Sequence, residues 1–174
     1  TVVQKLYGIL GIPYNEDKDK KVEDDIVVFS FTDMFSREIK AASRGGYNLS
    51  LIMTKLIAED DTAKSHEDVL QIVDIIAKVI KAKLRETDTV FRYSFNSLIL
   101  LLPFAGRDGV STVENKVKNI FATHSVIKKK NKGYNLVVTN VCYPEDGKIR
   151  QKLIDTLENK LNNAVKGNDI SHSE

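Results

Sequence analysis

The stretch LRETDTVFRYSFNSLILLLP, residues 84–103, decides the fold. Two runs rich in β-prone residues, Thr89 to Tyr93 and Leu98 to Leu102, flank Ser94-Phe95-Asn96-Ser97, a connection that is polar apart from Phe95. This pattern predicts a β-hairpin whose tip faces solvent or a ligand.

Upstream of the hairpin, Ser65-x-x-Asp68 has the form of a capping box and precedes Val69, Ile72, Val73, Ile76 and Ile80, apolar positions three and four apart. A helix follows from that spacing. Before it, Leu49 to Ile57 is an apolar run broken by Lys55, short enough for a buried central strand. Met34, Phe35, Ile39 and Ala42 mark an earlier helix, which Gly45-Gly46 stops. Asp25 to Phe31 reads as a strand or buried loop, and residues 1–24 as an N-terminal segment and mixed-charge linker.

Downstream, after the loop Gly106 to Gly109, Ser111-x-x-Glu114 resembles a second capping box, opening a helix with Val113, Val117, Ile120 and Phe121 inward. A lysine-rich loop then leads to a strand over Leu136 to Tyr143 and a turn, Pro144-Glu145-Asp146-Gly147. Ile149, Leu153, Ile154, Leu157 and Leu161 mark a last helix ending near Gly167. The order β-α-β-β-α-β predicts an α/β (α+β) domain of ferredoxin-like type, a central antiparallel sheet flanked by helices. It spans residues 25–169, with a tail at 170–174.

Composition narrows the function. Lys and Arg number 26 against 24 acids, a net charge of +2, too balanced for a surface built to hold a nucleic-acid backbone. The apolar runs are far short of the roughly 20 residues that cross a bilayer, so no membrane insertion is expected. The one cysteine, Cys142, forms no internal disulfide and reads as a buried strand thiol, and the cytoplasm is the expected compartment. Thr1 in place of an initiator methionine suggests a piece of a longer polypeptide with attached domains. His66, His124 and His172 lack metal-ligand spacing and read as capping, solvent-facing or tail residues; no metal site is expected.

Arg85-x-x-Asp88 is separated by five residues from the hairpin tip that begins at Ser94, and with Leu98 to Pro103 this register resembles the GGDEF diguanylate cyclase domain. Glu38-Ile-Lys40, Leu49-Ser-Leu51 and Tyr143-Pro-Glu-Asp-Gly147 add to the resemblance. It implies a nucleotide-cyclase-type fold in which two GTP-bound monomers meet and carboxylate-held Mg²⁺ ions polarise the phosphates.

Against that family pattern, the signature falls on Ser94, Phe95, Asn96, Ser97 and Leu98, so two glycines become Ser and bulky Phe and the acidic pair becomes Asn-Ser. The metal carboxylate of the first strand aligns with Lys55. Two like unit charges ~4 Å apart repel by about 4 kcal/mol at an effective dielectric of ~20, so Mg²⁺ is not expected. The segment between Lys55 and Leu70 is shorter than the family's, with Glu67 at the guanine-reading position. The phosphate-gripping basic positions fall on Ala164 and Asn168. The resemblance therefore implies a degenerate domain without catalytic residues, needing no cofactor.

The family's inhibitory site for cyclic di-GMP falls on Arg85 and Asp88, with Lys116 in place of a supporting arginine. A guanidinium fork can donate to guanine O6 and N7, and a carboxylate can accept from N1 and N2. Read alone, Arg85 is a helix-terminus cation and Asp88 a turn residue. Three functions stand: a cyclic di-GMP receptor signalling to a protein partner or attached domain, an interaction or homodimerisation module anchored by Phe95, and a residual GTP-binding regulator or cyclase. Arg92 reads as structural, and Lys128, Lys129, Lys130 and Lys132 as a solvated loop.

Overall fold

A computed structural model describes the backbone at residues 16–59, 65–130 and 132–171, and side chains from residue 31 to 167 within those limits. The order is α1 (Glu16–Gly45), β1 (Leu49–Ala58), α2 (His66–Lys83), β2 (Thr89–Ser94), β3 (Ser97–Pro103), α3 (Arg107–Thr123), α4 (Ser125–Lys130), β4 (Tyr134–Tyr143) and α5 (Arg150–Ser171). The four strands form one antiparallel sheet in the order β2-β3-β1-β4. This is the ferredoxin-like arrangement the strand and helix order predicts.

Side-chain alternation sends the two halves of each strand's apolar set to opposite faces. On one face Ile52, Leu56, Leu98, Leu100, Leu102, Val138 and Cys142 pack against α2, α3 and α4. On the other, Leu49, Leu51, Met53, Ile99, Leu101, Val137 and Val141 meet Phe31, Phe35 and Ala42 of α1 and Leu153, Leu157 and Leu161 of α5. Every residue of β3 is buried, which explains why that strand has no polar alternation.

Ser65 caps α2 as its sequence implies, its hydroxyl accepting from the Asp68 N–H at 3.2 Å. Four expectations need correction. Residues 16–31 belong to α1, not to a linker and a strand; the β-branched run Ile26-Val27-Val28 is overruled by the helix that carries Phe31 and Phe35 into the core. The second box does not cap: α3 starts at Arg107 after Gly106, and the Ser111 hydroxyl donates to the Arg107 carbonyl one turn back. The lysine-rich stretch 128–130 closes the short helix α4, which buries Ile127. Lastly, α5 passes through Gly167 to Ser171, where a tail was expected from residue 170. Residues 1–15 of the N-terminal segment, and His172 with the rest of the tail, lie outside the described residues. No helix among the described residues is long and apolar enough to cross a membrane.

Candidate functional site

The sheet register brings the hairpin tip and Lys55 together. Lys55 pairs with Ser97 of β3 and Val137 of β4, and by alternation both Lys55 and Ser97 lie on the α1/α5 face. Ala164 packs against the same face. The Asn96 carboxamide is consumed by the fold: its Oδ1 accepts from the Ser94 hydroxyl at 2.9 Å and the Ser97 hydroxyl at 3.3 Å, while Nδ2 donates to the Leu56 carbonyl at 3.3 Å. The Leu56 N–H in turn donates to the Asn96 carbonyl at 2.8 Å. Asn96 therefore latches the tip to β1 through both main chain and side chain, a role the sequence pattern did not signal.

Phe95, 39% exposed, stacks on His66 at the start of α2, with ring centroids 4.2 Å apart and planes 16° apart. The other histidine expected at a cap or in solvent, His124, ends α3, its N–H donating to the Ile120 carbonyl at 2.9 Å. Around Lys55 the rim thus offers an ammonium, two hydroxyls and an amide oxygen shared by those hydroxyls. Arg92, just before the tip, pairs with Asp74 of α2, in keeping with a structural role. The neighbouring Tyr93 hydroxyl donates to the Glu158 carboxylate of α5; burial, then that carboxylate, push the phenol up to about 12.

At the opposite end of β3 lies the second group of interest. Helix α2 ends at Lys83, and Arg85 follows the C-cap Leu84. Its Nη2 donates to Asp88 Oδ1 at 3.0 Å and to the Pro103 carbonyl at 2.8 Å; its Nε donates to Asp88 Oδ2 at 3.3 Å. The Arg85 N–H adds a bond to the same Oδ2 at 3.1 Å. Asp88 is 1% exposed, so its carboxylate is spent on Arg85 rather than on a guanine N1 and N2, and only Arg85, whose side chain is 53% exposed, projects outward. Lys116 on α3 lines a separate cleft of about 390 Å³ with Lys83, Asn119, Ile120, Thr123 and His124.

Two groups at this end were not singled out from sequence. Phe104 stacks on Tyr47, centroids 4.1 Å apart. Arg107 holds Asp146 through two bonds of 2.9 Å, and the Cys142 N–H donates to Asp146 at 2.7 Å. Burial opposes ionisation of Asp146, but the Cys142 N–H and the Arg107 guanidinium outweigh it and hold the carboxyl below its usual range. Cys142 itself is buried, as expected, its sulfur accepting from the Ser50 hydroxyl at 3.1 Å; burial raises its pKa.

Residues 29–169 match the family model described as diguanylate cyclase, GGDEF domain. The chain belongs to the GGDEF domain family. Among solved structures, a diguanylate cyclase protein from Thermotoga maritima is 21% identical with a TM-score of 0.62, covering 77% of this chain and 93% of that one. The GGDEF domain of DgcB from Caulobacter crescentus, solved in complex with c-di-GMP, is 14% identical with a TM-score of 0.62, over 80% and 85% of the two chains. Diguanylate cyclase SiaD from Pseudomonas aeruginosa, in complex with its activator SiaC, is 15% identical with a TM-score of 0.64, over 95% of this chain and 70% of that one. Identities this low carry the fold, and the GGDEF cyclase fold is the one described above. No curated protein matches the chain.

Proposed function

We propose that this GGDEF domain has lost cyclase activity and acts as a receptor for cyclic di-GMP. The carrying observation is the Arg85 fork, held by buried Asp88 and half exposed, about 20 Å along β3 from the substituted tip. Ligand binding there needs nothing from the catalytic rim. Asp88 and the Pro103 carbonyl orient the guanidinium, whose Nη1 keeps its two N–H groups to donate to a guanine edge, while Lys116 stands on α3 in the separate cleft.

Loss of turnover is supported by the donor chemistry of the rim. Mg²⁺ takes oxygen ligands, chiefly carboxylates and phosphates. An ammonium at Lys55 and an amide oxygen already shared by two hydroxyls do not fit that ion. Incubation with GTP and Mg²⁺ or Mn²⁺ is expected to yield no cyclic dinucleotide; any product would restore the reading as an enzyme.

Isothermal titration with cyclic di-GMP tests the receptor reading. We expect saturable heat in the micromolar range that Arg85→Ala weakens at least tenfold, since charge-assisted hydrogen bonds contribute roughly 1.5–3 kcal/mol. Absence of heat with the native chain rejects it. The exposed Phe95 ring, stacked on His66, favours a second reading as a homodimerisation or partner-docking module. Phe95→Ala leaving self-association and partner capture unchanged would count against that reading.

A further inference from the structure

Phe104 is the non-glycine residue with positive φ among the described residues, at 61°, and the residue is 63% exposed. Left-handed backbone is unfavourable for a residue with a Cβ, and an exposed ring contributes little to the core. Such strain is found where a ligand-facing geometry is being held. The ring is not loose: Tyr47 backs one face at 4.1 Å with an interplanar angle of 28°. Phe104 also directly follows Pro103, whose carbonyl receives Arg85 Nη2 at 2.8 Å. A rigid, outward aromatic face and an outward guanidinium are thus fastened to successive residues at the end of β3.

We propose that Phe104 is a base-stacking platform of the cyclic di-GMP site, with Arg85 reading the edge of one guanine while the open face of Phe104 stacks against the other. This rests on the receptor reading. A dinucleotide has two purine faces to offer, and the two protein groups flank the end of β3 on its two sides: Arg85 follows α2 toward β2, and Tyr47 fixes the ring toward β1. A preformed ring gives stacking at little ordering cost. The arrangement favours a cyclic dinucleotide over a guanosine mononucleotide, which can occupy only one of the two.

The test is calorimetric titration of cyclic di-GMP into the native chain, Arg85→Ala, Phe104→Gly, Phe104→Leu and Phe104→Tyr. Glycine relieves the positive φ and leucine keeps side-chain bulk without a π face, so one of the two retains the fold. Both are expected to bind about tenfold more weakly, with Phe104→Tyr close to native. The guanine H8 resonances of bound ligand should lie upfield in the native complex and lose that ring-current shift in both variants. Unchanged affinity and H8 shifts in the Gly and Leu variants, with binding still lost in Arg85→Ala, overturns the stacking role alone. No heat with the native chain overturns it together with the receptor reading.

Discussion

Asp146 gathers its donors at the end of β4, from Cys142 in its own strand and from Arg107 at the start of α3. Asp146→Asn removes the charge on which they converge and is expected to destabilise by about 1–3 kcal/mol, read as a lower urea midpoint with unchanged slope. The folded carboxyl titrates below its usual value. Its stabilisation is therefore complete above the unfolded pKa of about 3.9 and is lost as pH falls through the lower folded value. The variant should show a shallower acid limb in a stability-versus-pH profile. Tyr93 has the opposite sign: raised to about 12 by burial and then by Glu158, it contributes stability that is complete below about pH 10 and is lost as pH rises toward 12. Tyr93→Phe should flatten the alkaline limb over that window. At this scale the sequence was only partly legible. Tyr143-Pro-Glu-Asp-Gly147 announces a turn, but the partner of Asp146 stands 39 positions away and no local pattern names it.

Capping separates what local patterns can and cannot say about elements. Ser65 and Ser111 head similar motifs, yet one caps α2 and the other sits a turn inside α3. Ser65→Ala is expected to cost about 1 kcal/mol and Ser111→Ala no more than about 0.5 kcal/mol, compared by thermal melting of the two variants. The difference arises upstream: β3 ends at Pro103, and the connection through Gly106 launches α3 before the serine is reached. The first half of α1 was missed for a related reason, because Ile26 to Phe31 has strand propensity but lies in a helix of 30 residues whose later turns bury Phe31 and Phe35. Where periodicity was long and strong, as in α2, the element was readable from sequence alone.

Across the whole molecule, the sheet divides two cores, and β1 and β3 contribute to both. Leu100→Ala, emptying a fully buried site in the central pair, should destabilise by about 2–5 kcal/mol and lower the midpoint monitored by any probe, since neither core has a sheet of its own. The fold was legible because the apolar strand runs and the helical spacing of α2 and α5 agree with one sheet flanked by helices. The residue types at the hairpin tip were readable from sequence, whereas the pairing of Lys55 with Ser97 needed the sheet register. The Asn96 latch and the Phe104–Tyr47 stack were not, because each joins segments distant in sequence through geometry that only the folded sheet supplies. That stack has a mechanical corollary. Tyr47 also closes the last turn of α1, donating its N–H to the Ala42 carbonyl at 3.2 Å, so α1 is moored to the sheet at the spot where Arg85 grips Pro103. Whatever tugs on that guanidinium also tugs on the tether of the longest helix in the described chain.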